Sequence, residues 1–425
     1  MTIATQRSAS MPRATMATLM LAVFTVSIGF GIMLPLLPSL IERLLGAGVE
    51  AAQISRHTGL LTGVYTFALF LFAPVWGRLS DRYGPRVVLL VGLLGFSANM
   101  LVFSFIESLP TVYAERFLSG MFAAAVMPVA VAAIGGFPMT ERGRARRLAF
   151  VTMASIGGFL LGPMLSVYIT RFAAGFLSFS QLVGSVAIPL AATALLAFFV
   201  SVAVVFAVPG RHSSDPSKQM SVISFDRTGW LMPKLFILTF IVSAGIGVFD
   251  LGLTLRGKQE LSLTSHHIAL MFTECSLVMF VMQAIVFSPW FRPESTRWLI
   301  APALCVVTAG LFLVPWASNF TLMLVVIGAV AASAGILSPI LTYWISAKAG
   351  NAQGWELGKQ TAVSNLGITV GSAVGGLLFN VTALPGAAFF LTAGLVALGF
   401  LLSLGLSHLL VARNLGGEAF TRDPT

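Results

Sequence analysis

Long apolar runs separated by short polar segments make up most of this sequence. An α-helix needs about 20 mostly apolar residues to cross a bilayer, whereas a spanning β-strand would show about 10 residues of alternating polarity. The runs are long and continuous, so they predict helices. Twelve membrane-spanning helices are predicted near residues 15–38, 57–76, 86–106, 109–134, 148–170, 183–208, 233–254, 267–290, 298–315, 320–345, 359–381 and 385–412. The pattern therefore predicts an all-α, polytopic membrane protein.

The longest polar stretch lies near the middle of the chain, at residues 209–232. Six predicted spans precede it and six follow. We therefore expect an N-terminal six-helix half over 1–208, a linker over 209–232 and a C-terminal six-helix half over 233–425. Two pseudo-symmetric halves facing a central cavity are typical of secondary transporters.

Composition agrees with a lipid environment, since 57% of the 425 residues are hydrophobic, 9% are charged and the mean hydropathy is +0.93. The two cysteines, Cys275 and Cys305, both fall inside predicted spans and have no metal or disulfide spacing. No metal site is expected.

The net charge of +10 is distributed according to membrane topology. If the N-terminus is cytoplasmic, 19 of the 25 lysine and arginine residues fall on the cytoplasmic side. This asymmetry follows the positive-inside rule and places both termini in the cytoplasm. We expect these basic residues to meet anionic lipid head groups rather than nucleic acid. The expected location is the inner membrane of a bacterium, with the protein as a monomer.

A short polar segment between spans 2 and 3 carries the most specific motif. It reads Gly77-x-Leu79-x-Asp81-Arg82-x-Gly84-x-Arg86. The glycines permit tight turns and close approach of helices, and Asp81 is a candidate partner for Arg82 or another arginine. We predict that Gly77, Asp81, Arg82, Gly84 and Arg86 form a gating loop that latches one state of the protein; the alternative is an ordinary basic loop on the cytoplasmic side.

Two further motifs lie inside spans. Span 4 contains Arg116-x-x-x-Gly120, and span 5 contains Gly158-x-x-x-Gly162-Pro163. Small residues four apart let helix backbones approach closely, and a proline removes a backbone hydrogen bond and bends a helix. In span 5 these features predict either a bend that packs on the other half and limits leakage or ordinary helix packing.

Together these motifs resemble those of the major facilitator superfamily. The segment at Gly77–Arg86 resembles its signature loop, Arg116 its intramembrane arginine, and Gly158, Gly162 and Pro163 the motif of its drug/proton antiporter branches. The first half resembles tetracycline-type efflux proteins most. The resemblance implies twelve spans, proton-coupled transport and no cofactor.

The chain departs from that pattern at two acidic positions. No carboxylate stands in span 1, where such exporters carry one, and Asn99 stands in span 3 at a place often taken by Asp. Tetracycline is therefore not the expected substrate, and the coupling carboxylates are expected elsewhere in the chain.

Charges inside spans are the remaining functional candidates, because a charge at the bilayer centre costs about 2.5–3.5 kcal/mol. Asp250 in span 7, Glu274 in span 8 and Arg116 in span 4 meet this description. A carboxyl group that alternates between neutral and charged forms can carry a proton. We predict proton coupling by Glu274 and Asp250 with Arg116; the alternative for each is a helix-end charge or a structural ion pair.

Polar residues within otherwise apolar spans are candidates for a substrate cavity. The candidates are Tyr65, Asn99, Gln283, Tyr343 and Asn365.

No enzymatic motif accompanies these features. The chain has no phosphate-binding Gly-Lys-Ser/Thr loop, so an ion gradient rather than ATP is the expected energy source. We expect a secondary transporter that exports a small amphipathic or lipophilic molecule in exchange for protons. The alternatives are a facilitator or proton symporter for a metabolite or iron-type nutrient, and a non-transporting membrane sensor or scaffold.

Overall fold

The computed structural model describes residues 11–46, 48–103, 108–135, 137, 141–176, 187–210, 230–286, 293–348, 353–381, 384 and 386–411. Within these ranges the regular structure is helical and contains no β-strand. Eleven helical segments are long and apolar enough to cross a membrane, and Ala387–Ser403 is a shorter apolar helix in the position of the twelfth. The predicted all-α membrane fold is confirmed.

The first half of the chain forms seven helices. They are α1 (Arg13–Leu45), α2 (Ala51–Tyr83), α3 (Pro85–Phe103), α4 (Leu109–Ala123), α5 (Val126–Gly135), α6 (Glu141–Phe176) and α7 (Ala187–Ala207). Helices α4 and α5 together form the fourth span, Leu109–Ile134.

The second half adds seven more. They are α8 (Leu231–Leu255), α9 (Ser265–Val286), α10 (Ile300–Leu313), α11 (Phe320–Lys348), α12 (Gln353–Leu378), α13 (Ala387–Ser403) and α14 (Leu406–Val411). A π-helical turn, Arg256–Glu260, extends α8, and short 3-10 helices at Pro293–Leu299 and Val314–Trp316 flank α10.

Several helices are longer than the apolar runs that predict them. The run at 57–76 corresponds to α2, which spans Ala51–Tyr83, and the run at 148–170 corresponds to α6, which spans Glu141–Phe176. Hydropathy detects the part of a helix that suits lipid, whereas backbone hydrogen bonding continues into polar residues beyond it. The predicted linker over 209–232 lies mostly outside the described residues.

The contacts divide the described residues into two compact units. Unit 1 lies within Met1–Glu50, Leu60–Ser221 and Leu263–Ser276, and unit 2 within Ala51–Gly59, Val222–Ser262 and Leu277–Thr425. Helix α2 therefore contributes its first nine residues to unit 2 and the rest to unit 1. The core of unit 1 is built from α1, α3, α5, α6 and α7, and its buried side chains include Leu19, Leu89, Val129, Val151 and Val200.

Small residues bring α1 and α6 together in unit 1. The Ser27 and Ser155 hydroxyls form a hydrogen bond of 2.8 Å. A Cβ atom placed on Gly158 would lie 2.9 Å from the Ser27 Cβ, and one placed on Gly162 would lie 2.9 Å from the Ile28 carbonyl oxygen. Only glycine allows this separation of the two backbones.

The same contact occurs between α8 and α12 in unit 2. The Ser243 and Ser364 hydroxyls form a hydrogen bond of 2.8 Å, and a Cβ atom placed on Gly367 would lie 2.8 Å from the Ser243 Cβ. The sequences correspond as well, since residues 24–31 read FTVSIGFG and residues 240–247 read FIVSAGIG. We infer an internal repeat in which α1 and α6 correspond to α8 and α12. Its register aligns Asp250 with Leu34.

Candidate functional site

A buried ion pair lies within the fourth span. The Arg116 Nε donates to the Glu115 Oε2 over 2.6 Å, and the Arg116 Nη2 donates to the Glu115 Oε1 over 2.9 Å. Both side chains are 2% exposed. The pairing is two-pronged, the strongest arrangement for a guanidinium and a carboxylate. Arg116 is thus already neutralised by its own neighbour in sequence.

Polar side chains from α3 and α4 surround this carboxylate. The Asn99 side-chain amide donates to the Glu115 Oε1 and to the Glu115 backbone carbonyl, each over 3.0 Å. The Ser119 hydroxyl also donates to Glu115 and accepts from Asn99 over 2.6 Å. Asn99, a predicted cavity residue, therefore holds Glu115 in place. Asn99 stands at the span 3 position that is often Asp in the exporters this chain resembles, and the carboxylate beside Arg116 is that of Glu115 in span 4.

Aromatic rings cover the Arg116 guanidinium. Its central carbon lies 5.6 Å from the centre of the Tyr65 ring and 5.0 Å from that of Phe103, within the range of cation–π attraction. Tyr65 in turn stacks on Phe30 with ring centres 5.1 Å apart. Gly120 makes this arrangement possible, because a Cβ on Gly120 would lie 2.9 Å from the Ala68 Cβ of the same helix as Tyr65.

Asp250 and Glu274 have a different environment from Glu115. Asp250 lies half-buried on α8, and its carboxylate takes part in no hydrogen bond or ion pair with any described residue. Glu274 lies half-buried on α9, and its Oε2 atom is fully buried without a hydrogen-bond partner there. Of the three carboxylates deep within described spans, only Glu115 is paired.

The polar motif at Gly77–Arg86 is less of a loop than predicted. Helix α2 continues through Gly77 and Asp81 to Tyr83, and α3 begins at Pro85, so Gly84 alone makes the turn. Gly84 has φ 88° and ψ 154°, a region that glycine adopts without strain. The predicted loop is therefore confined to Gly84, and Gly77, Asp81 and Arg82 are helical.

The charged residues of that motif lie near the surface. Asp81 and Arg82 are exposed, and Asp81 makes no ion pair with any described residue. The Arg82 guanidinium lies 5.4 Å from the centre of the Tyr83 ring. The half-buried Arg86 donates to the Val205 carbonyl of α7. The gating role of these residues remains a prediction.

The span 5 motif lies within α6 and faces α1. Gly158 and Gly162 pack on α1 as described above, and Pro163 lies inside the helix. Of the two interpretations of this motif, close helix packing is the one that the contacts of its glycines show. They pack within the N-terminal half rather than on the other half.

The remaining predicted cavity residues lie in unit 2. Gln283 on α9, Tyr343 on α11 and Asn365 on α12 are each half-buried. The Tyr343 ring packs edge-on against Trp344, with ring centres 5.4 Å apart. The structure brings Tyr65 and Asn99 together at Arg116, but these three side chains do not belong to that cluster.

Sequence reasoning gave no role to Glu115, although it is an acidic residue next to an arginine in an otherwise apolar run. It also missed Ser55, Gln259 and Asn380, which form a hydrogen-bonded cluster in unit 2. These three residues are far apart in sequence and unremarkable individually, so no local pattern could have grouped them.

Comparison with known proteins gives consistent results. The family model described as Major Facilitator Superfamily matches residues 19–355. Multidrug resistance protein 2 of Bacillus subtilis (strain 168) is 26% identical over 84% of this chain and 87% of its own length. The quinolone resistance protein NorA of Staphylococcus aureus (strain COL) is 21% identical over 84% of this chain and 88% of its own.

A solved structure shows the same fold. The crystal structure of the human organic anion transporter MFSD10 (TETRAN) superimposes with a TM-score of 0.69, covering 92% of this chain and 99% of that one at 19% identity. The matched family model, the helical membrane fold and the transporter relatives lead to one conclusion: the chain belongs to the Major Facilitator Superfamily.

Proposed function

We propose that the protein is a secondary active transporter that exports a small amphipathic or lipophilic molecule in exchange for protons, by alternating access. The observation that carries the proposal is the presence of two carboxylates, Asp250 and Glu274, without a partner among the described residues of their spans. The similarity to proteins named for multidrug and quinolone resistance supports the export direction and the substrate class.

The coupling scheme follows from the cost of charge in a membrane. An unpaired carboxylate within a span is costly when charged, by about 2.5–3.5 kcal/mol at the bilayer centre, and protonation removes the charge. A proton arriving from outside neutralises Asp250 or Glu274 and releases the substrate outward. The protein then changes its accessible side, and the proton leaves to the cytoplasm.

The internal repeat favours Asp250 in this scheme. Its counterpart in the N-terminal half is Leu34, so the repeat places a carboxylate in the second half only. Exporters of the tetracycline type carry their first acidic residue in span 1, and this chain carries one in the corresponding span 7.

Arg116 has an indirect part in this proposal. Since Glu115 neutralises it through two hydrogen bonds, Arg116 does not need a coupling carboxylate as its counter-charge. We assign the pair a positioning role. Arg116 contacts the Tyr65 ring, and through it holds Tyr65 in its stacked position on Phe30.

The test is uptake of a fluorescent quinolone into inverted membrane vesicles under an imposed pH gradient. We expect uptake by the wild-type protein that stops when the gradient is collapsed, and uptake at least tenfold slower for Asp250→Asn or Glu274→Gln. Glu50→Gln, at an exposed position before α2, is the matched control and should transport normally. Uptake that survives collapse of the gradient would exclude proton coupling, and normal coupling in both span variants would exclude these carboxylates.

A further inference from the structure

A compact polar cluster joins three helical segments of unit 2. The Asn380 side-chain amide at the end of α12 donates to the Ser55 Oγ over 2.8 Å and to the Gln259 Oε1 over 3.1 Å. The Gln259 side-chain amide donates to the Ser55 Oγ over 3.1 Å and to the Ala51 carbonyl over 3.2 Å. Ser55 is completely buried at the centre of this cluster.

A backbone crossing lies one turn away. A Cβ atom placed on Gly59 of α2 would lie 2.7 Å from the Gly376 Cα of α12. One placed on Gly376 would lie 2.6 Å from the Ser55 carbonyl oxygen. The two helices therefore touch through backbone atoms at this crossing. The hydrogen bonds of Ser55, Gln259 and Asn380 link side chains one turn further along both helices.

Gln259 is held firmly on its own side of the cluster. It belongs to the π-helical turn Arg256–Glu260, where Arg256 pairs with Glu260. Arg256 also donates to the carbonyls of Pro315 and Ala317 over 2.7 and 3.0 Å. The buried arginine therefore fixes the turn to the end of α10, and the turn presents Gln259 to Ser55. Single-turn π segments inside or at the end of helices are frequent at functional sites.

The α2 part of the cluster comes from a helix that both units share. Residues Ala51–Gly59 group with unit 2, whereas the same helix from Leu60 onward groups with unit 1. A transporter that alternates its accessible side must break contacts of this kind at one end of its spans and remake them later. Neutral hydrogen bonds suit such a contact, because each contributes only modestly and the contact remains reversible.

We propose that Ser55, Gln259 and Asn380, with the Gly59–Gly376 crossing, form a reversible lock that holds Ala51–Gly59 against α12 in the state described here and opens in the transport cycle. The basic residues of the sequence predict that this end of α2 faces away from the cytoplasm. This inference rests on alternating access, which is part of the proposed function.

The first test requires no substrate. Thr58, buried on α2 beside Gly59, is changed to Cys as a reporter in a Cys275→Ala/Cys305→Ala background, and its reaction with a small thiol reagent is timed. The Gln259→Ala/Asn380→Ala variant should react about tenfold faster, since it loses every side-chain bond that Gln259 and Asn380 make to Ser55. A Thr25→Cys reporter, buried on α1, is the matched control and should react at an unchanged rate. If Thr58→Cys reacts at the same rate with and without Gln259→Ala/Asn380→Ala, the proposal is overturned. A faster reaction at both reporters also overturns it, because that result would mean that the whole protein is loosened.

The second test holds the lock closed with a covalent bond. Ser55→Cys/Asn380→Cys is cross-linked with a short dithiol-reactive reagent, and Ser27→Cys/Ser155→Cys, across the α1–α6 contact within one half, is the control. Quinolone transport should stop in the first and resume on cleavage of the cross-link, while the control continues to transport. Transport by fully cross-linked Ser55→Cys/Asn380→Cys overturns the lock. Absence of transport by the wild-type protein would instead refute the proposed function, and the labelling test still decides the lock.

Discussion

Asn99 on α3 and Glu115 on α4 are joined by two hydrogen bonds of 3.0 Å, one to the carboxylate and one to the backbone carbonyl. A neutral amide thus holds the carboxylate that neutralises Arg116. This relationship ties two spans together and leaves none of the buried charge at this point of unit 1 unpaired. Glu115 is therefore a structural carboxylate, whereas Asp250 and Glu274 have no partner among the described residues.

The first prediction concerns the energy of this pair. Glu115→Gln and Arg116→Gln should each destabilise the protein by about 3–5 kcal/mol, because each leaves one buried charge without its partner. The double variant should lose less than the sum of the two, since it buries no unpaired charge. Denaturant unfolding in detergent micelles measures all three. Additive losses would mean that the two side chains do not act as a pair.

The fold was predictable because lipid imposes a simple pattern. Long apolar runs located the eleven spanning helices of the described residues and the shorter helix Ala387–Ser403. The ends of α2 and α6 lie beyond these runs, where hydropathy no longer reports on the helix. The internal repeat was also present in the sequence, as FTVSIGFG and FIVSAGIG, but only the matching contacts at Gly158 and Gly367 make the alignment convincing.

The site was harder to predict, because pairing depends on distances that periodicity does not give. Arg116 stood out as a buried charge, yet its partner is its immediate neighbour, and adjacent residues on a helix do not normally face each other. Hydrogen bonds from Asn99 and Ser119 hold the Glu115 carboxylate where it meets the Arg116 guanidinium. The cluster at Ser55 was not predictable at all, since its members lie 204 to 325 positions from Ser55 along the chain.

A second prediction follows for the two unpaired carboxylates. Asp250→Asn and Glu274→Gln should leave the unfolding free energy within about 0.5 kcal/mol of the wild type or raise it, because neither change breaks an ion pair of the described structure. The contrast with Glu115→Gln in the same assay is the informative comparison. A loss as large as that of Glu115→Gln at either position would identify a structural ion pair rather than a proton site.

A third prediction tests the repeated helix contact. Gly158→Ala and Gly367→Ala should each cost about 1–3 kcal/mol, because the added methyl group would lie within 3 Å of Ser27 and Ser243 respectively. Gly394→Ala on α13 is the control, since nothing lies within 4 Å of the added group there. That change should be neutral or stabilise the helix slightly. The repeat predicts similar losses at the first two sites, and a marked difference between them would argue against their equivalence.

The last prediction separates the two glycines of the Gly77–Arg86 motif, which the structure treats differently. Gly84→Ala should destabilise the protein by about 1–3 kcal/mol, because φ 88° with ψ 154° is a conformation that residues with a side chain avoid. Gly77→Ala should be stable, since Gly77 is helical and nothing lies within 4 Å of the added methyl group.

If the gating role predicted for this motif is correct, Gly77→Ala nevertheless transports quinolone more slowly, because a contact absent from this state forms in another. Thermal unfolding and vesicle uptake of both variants measure the two effects separately. Normal uptake by a stable Gly77→Ala would argue against a gating role for Gly77. Of these two glycines, only Gly84 would then be required, for the turn between α2 and α3.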